Sequence, residues 1–235
     1  MNRYLSHICR LVAVFLFSLH LSGCMKMDVA SYEVADPNVM SGTLQAVATL
    51  RSNEGIRYFQ LDPLSKGWIV NPEAVADMPD VTRVFLQYIP VQDDRRPDFC
   101  TESIRVDWAM ALDVGTIAAP SASYQSSISS PDPIDIVQDW ITSLEDGFLT
   151  LHYMIPVSGN TKHSFTLCRG TSPYEFFLLH DARGDLDGSL TDGIVCFPVQ
   201  DLLPDTGGKT VELSLNYLNL KHSNTRLTVG YKSPK

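Results

Sequence analysis

The sequence predicts an all-β protein, with a five-stranded OB-like barrel in its first half and an antiparallel β-sandwich in its second half. Short runs in which apolar and polar residues alternate recur along the chain, and such alternation is typical of half-buried strands. Five of these runs precede a segment rich in serine, alanine and proline, and six follow it. No long run has helical periodicity, which favours the all-β class. Because the serine-rich segment separates two groups of strands, two domains are expected.

The first 24 residues have the features of a lipoprotein signal peptide. Two arginines lie near the start, residues 11–19 are apolar with one serine, and the sequence LSGC ends at Cys24. The apolar run is shorter than the ~20 residues needed to cross a bilayer, which favours a cleaved secretory signal. The LSGC motif resembles the lipobox of bacterial lipoproteins, which implies a signal peptide over residues 1–23 and a lipid on Cys24. Residues 24–41 would then form a membrane tether, and an ordinary signal peptide with a coincidental cysteine is the alternative.

The net charge argues against nucleic acid as a partner. The chain has 18 basic and 27 acidic residues, a net charge of −9. Removal of residues 1–23 takes away two arginines and leaves a net charge of −11. Such a surface is repelled by phosphate backbones and by anionic lipid headgroups. Attachment to a membrane is therefore expected through the lipid on Cys24.

An OB-like barrel is predicted over residues 42–114. Strand runs cover residues 44–50, 58–61, 68–70, 84–88 and 104–112, with a helical turn over residues 71–80. In the fifth run, the apolar face consists of Ile104, Val106, Trp108, Met110 and Leu112. This alternation places Trp108 in the core. Five strands with a helical insert between the third and fourth are typical of an OB barrel, although other five-stranded barrels share the pattern.

The β-sandwich is predicted over residues 134–235. Residues 115–133 are rich in serine, alanine and proline, which indicates a linker or an edge strand. The strand runs that follow cover residues 149–155, 165–167, 174–180, 194–199, 211–217 and 227–231. Six strands with short turns and no long helix favour a sandwich.

Two stretches of the second half, residues 139–167 and 176–202, contain an ordered set of landmarks. These are a strand beginning at Phe148, a strand led by His163, a Leu-x-His-Asp strand end at Leu178, a Gly-Asp turn at Gly184 and a strand ending near Phe197. In this order they resemble the C-terminal domain of the NigD-like lipoproteins of Bacteroidetes. The resemblance implies an N-terminal OB domain, a C-terminal β-sandwich and a lipid anchor. The family takes its name from a bacteriocin-associated gene cluster, which implies a role in immunity.

No catalytic residue and no cofactor are predicted. The nucleophile elbow of serine hydrolases, closely spaced zinc ligands and a phosphate-binding glycine loop are absent from the sequence. His163 and His180 could meet across adjacent strands, where hydrogen-bonded rings are favoured over a metal or catalytic site. A hydrolase that uses two facing carboxylates is the remaining enzymatic hypothesis.

Residues 178–193 crowd four aspartates among three glycines. Asp181, Asp185 and Asp187 are the candidates for a calcium site. However, the spacing lacks the glycine at position six and the glutamate at position twelve of an EF-hand loop. The favoured interpretation is a loop in which glycines adopt positive φ and aspartates bond their own backbone.

The three tryptophans are candidates for ligand binding, and of these Trp108 is expected in the core. Exported OB barrels and sandwiches often bind glycans, and aromatic side chains serve as stacking platforms. Trp68 lies in a short predicted strand and Trp140 in a predicted surface segment, so either ring could be exposed. The alternative is that both rings fill cores, as large aromatic side chains commonly do.

The cysteines allow at most one internal disulfide. Cys9 leaves with the signal peptide and Cys24 takes the lipid, so Cys100, Cys168 and Cys196 remain. A Cys168–Cys196 bond is preferred because both residues lie in strand-like runs, and three buried thiols are the alternative.

The expected function is non-enzymatic. The leading hypothesis is a lipid-anchored envelope lipoprotein that binds another molecule, an unidentified envelope protein or glycan, and serves in bacteriocin immunity. The alternative is a glycan-binding module of a polysaccharide-uptake system. The outer membrane is the expected location, since no aspartate directly follows Cys24.

Overall fold

The computed structural model describes residues 42–118, 131–159 and 161–233. The predicted signal peptide (residues 1–23) and tether (residues 24–41), with the lipidation site Cys24, lie outside these ranges. Within the ranges, none of the helices has the length and apolar composition required to span a membrane.

The described chain forms fifteen strands and two short 3₁₀ helices. The strands are β1 (Leu44–Asn53), β2 (Ile56–Gln60), β3 (Lys66–Ile69), β4 (Thr82–Val91), β5 (Glu102–Ala111), β6 (Asp113–Val114), β7 (Thr116–Ala118), β8 (Asp135–Val137), β9 (Ser143–Glu145), β10 (Phe148–Val157), β11 (Ser164–Arg169), β12 (Glu175–Asp181), β13 (Ser189–Pro198), β14 (Val211–Leu218) and β15 (Asn224–Tyr231). The 3₁₀ helices cover Pro72–Val75 and Gln200–Leu202. Each of the predicted strand runs overlaps one of these strands, so the all-β class is confirmed.

Strands β1 to β5 close into a barrel in the order β1-β2-β3-β5-β4. β3 runs parallel to β5, and the other neighbouring strands are antiparallel. Alternate side chains point inward, and Leu50, Phe59 and Ile104 are fully buried in the barrel core. The helix Pro72–Val75 lies between β3 and β4 and buries Val75 against this core. The predicted five-stranded barrel with a helical insert is therefore confirmed.

A β-bulge in β5 reverses the predicted orientation of Trp108. β4 pairs Tyr88 with Val106, and the next pair is Gln87 with Trp108. Asp107 is therefore an extra residue, and beyond it every side chain of β5 changes face. Val106 points into the barrel core, whereas Trp108 is 38% exposed. The prediction that Trp108 lies in the core is wrong.

Two sheets form the C-terminal sandwich. One has the order β6-β13-β10-β8 with β9 also paired to β10, and the other has the order β15-β14-β12-β11-β7. Leu149 and Phe197 of the first sheet share a core with Phe176 and Leu213 of the second. The predicted sandwich is confirmed, but its sheets are mixed rather than purely antiparallel. The parallel pairs are β6 with β13, β7 with β11 and β12 with β14.

The chain passes from one sheet of the sandwich to the other at Gly115. On its two sides, β6 pairs with β13 and β7 pairs with β11. A Cβ atom at residue 115 would lie 2.1 Å from Cε1 of Phe197, which is a core side chain. Glycine is therefore required unless that ring moves. Of the segment predicted as a linker or edge strand (residues 115–133), residues 119–130 lie outside the described ranges.

A hydrophobic interface joins the barrel to the sandwich. Val47 and Leu112 from the barrel side pack with Ile141, Phe148 and Cys196 from the sandwich side. All of these side chains are buried, so the contact excludes water from the area it covers.

Arg83 of β4 lies within this interface with only 1% of its side chain exposed. It donates to one hydroxyl on each side, from Nη1 to Thr49 Oγ1 (3.1 Å) and from Nε to Thr150 Oγ1 (3.3 Å). Glu145 Oε2, 3.7 Å from Nη2, supplies the opposite charge. Burial lowers the pKa of Arg83, and the Glu145 carboxylate opposes this effect. A buried and paired arginine therefore ties the barrel to the sandwich.

The three cysteines of the described residues are buried and form no disulfide. The preferred Cys168–Cys196 bond is therefore wrong, and its geometry explains why. Leu167 and Val195 point into the sandwich core, so their neighbours Cys168 and Cys196 point away from that core, on opposite sheets. Cys196 faces the barrel interface instead.

Candidate functional site

The junction surface is an exposed aromatic patch where the barrel meets the sandwich, and it consists of Phe85, Trp108, Met110 and Trp140. Trp140 is 47% exposed and Met110 is 53% exposed, while Phe85 is half-buried. Large apolar side chains that are exposed together commonly mark a binding site. This patch is therefore the first candidate for a functional site.

The junction surface owes its shape to the pairing of β4 with β5. Phe85 of β4 pairs with Met110 of β5. Two residues further along the same ladder, Gln87 pairs with Trp108, so both pairs lie on one face. The bulge at Asp107 puts Trp108 and Met110 on the outer face of the barrel, where Phe85 also lies. The ring of Phe85 meets Trp108 edge to face, with centroids 5.3 Å apart.

Trp140 reaches the same patch from the sandwich. Its ring centroid lies 6.0 Å from that of Phe85, with the planes 42° apart. Asp139 fixes the turn that carries Trp140, because its Oδ1 accepts from the backbone N–H groups of Ile141 (3.0 Å) and Thr142 (3.4 Å). Phe85 thus links two tryptophans that come from different halves of the chain.

Polar side chains border the aromatic rings on both sides. On the barrel, Gln87 Nε2 lies 3.5 Å from Asp107 Oδ2. On the sandwich, His152 of β10 lies between two carboxylates, with Nδ1 2.7 Å from Asp139 Oδ2 and Nε2 3.4 Å from Asp192 Oδ2. The side chain of Asp192 is 74% exposed and open to a ligand. The surface can therefore offer stacking together with hydrogen-bond acceptors and donors.

Trp68, the other predicted ligand residue, lies elsewhere in a different setting. It is half-buried on β3, opposite Tyr58 of β2, and the Arg95 guanidinium lies 6.0 Å from its ring centroid. Arg95 is held there by a two-point contact with Asp93. The cation over its ring leaves less of the Trp68 surface available to a ligand. The tryptophan that lies near Trp140, through Phe85, is Trp108 and not Trp68.

His163 and His180 meet in the sandwich, as the sequence suggested they could. Their rings are buried and stacked, with His163 Nδ1 2.9 Å from His180 Nε2. His180 Nδ1 lies 3.0 Å from the Pro133 carbonyl, which can only accept, so this nitrogen carries the proton. Burial lowers the pKa of His180, which favours the neutral ring, and its Nε2 then accepts from His163.

The three aspartates proposed for calcium have different environments. Asp185 is buried, and its Oδ1 accepts from the backbone N–H (2.8 Å) and the hydroxyl of Ser158. These bonds hold the pKa of the Asp185 carboxyl below its usual range, and its Oδ2 lies 3.5 Å from His163 Nε2. Asp181 and Asp187 are exposed, and Asp181 accepts from the backbone of Arg183 (2.9 Å) in a local turn. Among the described residues, no cluster of His, Cys, Asp or Glu could hold a metal ion.

The loop interpretation is confirmed for residues 182–188, whereas residues 189–193, Asp192 among them, already belong to β13. Asp185 anchors the loop inside the sandwich, and Gly184 has φ +83°, a conformation that favours glycine. The histidines and Asp185 thus form one buried network, called the histidine cluster below: His163, His180 and Asp185.

Sequence reasoning missed Phe85 and the Asp139–His152–Asp192 set, and it assigned Trp108 to the core, whereas the ring is 38% exposed. The one available signal for the orientation of Trp108 is its neighbour Ala109, a small residue that fits inside a narrow barrel. Ala109 does pack against the barrel core. The contacts of His152 join residues 13 and 40 positions apart, which no local pattern predicts.

Comparisons with known proteins identify relatives of both the sandwich and the whole described fold. Residues 116–231 match the family of NigD-like C-terminal beta sandwich domains. No curated protein matches the sequence.

Several solved structures share the fold. A structure described as a candidate toxin-related protein from Parabacteroides distasonis has 24% identity and a TM-score of 0.67, covering 81% of this chain and 94% of that chain. A NigD-like immunity protein from Bacteroides caccae has 17% identity and a TM-score of 0.60, covering 81% and 98%. A candidate lipoprotein from Bacteroides fragilis has 11% identity and a TM-score of 0.55, covering 82% and 100%. At these identities the likeness shows the fold alone.

Proposed function

Since this chain belongs to the NigD-like family through residues 116–231, we propose that it is a lipid-anchored lipoprotein of the cell envelope. It acts by binding another molecule and not by catalysis. The observation that carries the proposal is the combination of this family domain with an exposed aromatic surface at its junction with the barrel.

The lipid on Cys24 provides the anchor in this proposal. The LSGC motif supports it, as does the fold shared with a protein described as a candidate lipoprotein. With a net charge of −11 after loss of residues 1–23, the chain has no electrostatic attraction to anionic headgroups. The outer membrane is the proposed location, because no aspartate directly follows Cys24.

Binding is favoured over catalysis by where the reactive side chains lie. His163, His180 and Asp185 are buried and hydrogen-bonded to one another or to nearby groups, which is typical of a structural network. The exposed junction surface, in contrast, presents apolar rings with polar neighbours. Such a composition suits reversible binding.

A role in bacteriocin immunity is the proposed biological setting. The family name supports it, and one structure with the same fold is described as a NigD-like immunity protein. The binding partner would be an envelope protein or an envelope glycan, and the junction surface is the place where we expect it to bind.

Cys24→Ser tests the anchor. In a Bacteroides host fed an alkyne-labelled fatty acid, the unaltered chain should incorporate the label and pellet with the outer membrane. The variant should lose both properties. Cys9→Ser is the matched control, because Cys9 is removed with the signal peptide, and it should retain both. Label on the Cys24→Ser chain, or a soluble unaltered chain, contradicts the anchor.

Partner capture tests the binding role. Photo-crosslinking of the lipidated protein in intact envelopes should yield a reproducible adduct, and a deletion strain should be more sensitive to bacteriocin. Absence of any adduct together with unchanged sensitivity would overturn the proposal.

A further inference from the structure

We propose that the junction surface binds a neutral oligosaccharide, with Trp108 and Trp140 stacking on sugar rings. The inference rests on the proposed binding role and names the chemical class of the ligand. The two tryptophans come from the barrel and the sandwich, so the site exists only where the two halves of the chain meet.

The two tryptophan rings of the junction surface are exposed to solvent. Trp140 is 47% exposed and Trp108 is 38% exposed, although burial of such side chains would be favourable. Phe85 packs between them, with centroid distances of 5.3 and 6.0 Å, and holds both rings in place. Exposed aromatic rings of this kind can stack on the flat C–H faces of pyranose rings.

Polar side chains accompany both tryptophans of the junction surface. Asp107 and Gln87 lie beside Trp108, and Asp139 with its partner His152 lies beside Trp140. Carboxylates and amides accept hydrogen bonds from hydroxyl groups, and an Asp–His pair also keeps the acceptor oriented. A ligand with apolar faces and hydroxyl edges satisfies both kinds of surface at once.

Charge decides between neutral and anionic ligands. Asp107 and Asp139 directly precede Trp108 and Trp140 in the chain, and Asp192 lies 3.4 Å from His152, the partner of Asp139. The whole chain is also acidic. A sulfated, phosphorylated or uronic-acid glycan would be repelled. The site therefore favours sugars that carry no charge.

An acidic surface is compatible with a neutral sugar and with a basic peptide, and the orientation of the aromatic rings favours the sugar. The planes of Phe85 and Trp140 are 42° apart and those of Phe85 and Trp108 are 73° apart, so the rings form separate facets. Separate facets suit successive sugar rings, whereas an extended peptide needs a free sheet edge or a continuous groove.

Calorimetric titration of the full chain, purified in detergent, tests the inference. The probes are cellohexaose, maltohexaose, mannohexaose and chitohexaose, with a heparin-derived hexasaccharide as the anionic comparison and a lysine-rich peptide as the protein-type comparison. We expect binding of at least one neutral probe. Trp140→Ala and Trp108→Ala should each weaken it by about tenfold or more, since each removes one stacking face.

Trp68→Ala is the matched control, because Trp68 is a half-buried tryptophan outside the junction surface. It should leave the affinity unchanged within about twofold. Trp140→Phe keeps an aromatic face and should retain part of the binding, which separates a lost contact from a disturbed fold. Each variant's thermal midpoint is measured alongside.

Absence of binding to every neutral probe overturns the inference, and so does binding that Trp108→Ala and Trp140→Ala leave unchanged. Preferred binding of the lysine-rich peptide overturns it as well, because the surface then serves a protein partner. Each of these results leaves the anchor and the envelope-partner tests untouched. Conversely, loss of the lipid label would not alter the titrations, so the two proposals fail separately.

Discussion

Two buried charged clusters stabilise different parts of this protein. Arg83 lies between the barrel and the sandwich, and the histidine cluster (His163, His180 and Asp185) lies within the sandwich. Arg83 donates hydrogen bonds to a hydroxyl on each side of the interface and forms an ion pair with Glu145. The histidine cluster holds the loop after β12 against Ser158.

The two clusters differ in how they respond to pH. Burial lowers the pKa of Arg83, but arginine starts so high that it stays charged at any pH the fold tolerates. The pKa of His180 is lowered from a value near neutrality, so its protonation competes with folding in mildly acidic solution. Arg83 itself therefore adds no pH dependence to the domain junction, whereas His180 makes the stability of the sandwich depend on pH.

Arg83→Ala should have the largest effect on stability. It removes the side chain that donates to both buried hydroxyls, those of Thr49 and Thr150, and leaves a cavity in the interface. We expect the free energy of unfolding in urea to fall by about 3–5 kcal/mol. Arg226→Ala, which removes a mostly exposed arginine, should cost about 1 kcal/mol or less. Equal losses for the two variants would refute a special role for Arg83.

His163→Ala should be the next most destabilising change. It removes the donor to His180 Nε2 and the ring that lies nearest to Asp185 Oδ2, and both of those groups are buried. We expect a loss of about 2–4 kcal/mol in urea unfolding. His222→Ala is the control, since His222 lies in an exposed turn, and it should cost about 0.5 kcal/mol or less. A loss from His163→Ala no greater than the control would show that the cluster contributes nothing.

The pH dependence of stability should come from His180. Because its folded-state pKa lies below the unfolded value of about 6.5, its contribution is complete above that pH and is lost as the pH falls below it. The free energy of unfolding should decrease from pH 7.5 to pH 5, by at most about 1.4 kcal/mol per pH unit for this proton. The groups facing the ring are His163, Asp132 and the Pro133 carbonyl.

His180→Phe should flatten this dependence. The phenyl ring can stack on Phe165 as the imidazole does, at a centroid distance of 5.3 Å, but it cannot be protonated. The remaining acid sensitivity should then lie below about pH 4, since the hydrogen bonds from Ser158 hold the pKa of the Asp185 carboxyl below its usual range. An unchanged slope between pH 7.5 and pH 5 in the variant would move the sensitivity to another group.

Arg51→Ala should have the smallest effect among these changes. Arg51 also joins the barrel to the sandwich, through a two-point contact with Asp146 at 2.8 and 2.9 Å, but the pair is partly exposed. We expect a loss of about 1 kcal/mol that shrinks as salt is added. A loss as large as that of Arg83→Ala would mean that burial does not set the strength of the junction contacts.

Much of the fold was predictable because long strands carry a repeated pattern. β10 and β14 alternate over eight residues or more, and the corresponding runs were found in the sequence. Strands β6 to β9 have only two or three residues each, too few for any period to appear. Their positions in the sheets depend on pairing with strands that are distant in sequence, and a short stretch of sequence contains no sign of such pairing.

The candidate site was predicted only in part. The sequence predicts a surface position for Trp140, because the residue lies in a segment without strand pattern, and its side chain is 47% exposed. Strict alternation across Asp107 predicts Trp108 in the core, and this prediction is wrong. The bulge depends on how β5 aligns with β4, and that alignment is a property of two strands and not of one.

From its own pattern, the sequence determined the all-β class, the barrel, the sandwich and the family to which the second half belongs. Those features repeat locally, and burial of one face of each strand enforces them. Only the tertiary structure decided that Trp108 and Trp140 share a surface, that Arg83 is buried between the two halves and that Asp185 joins the histidines. These are contacts between residues distant in sequence, and they depend on strand register and on packing between the two halves.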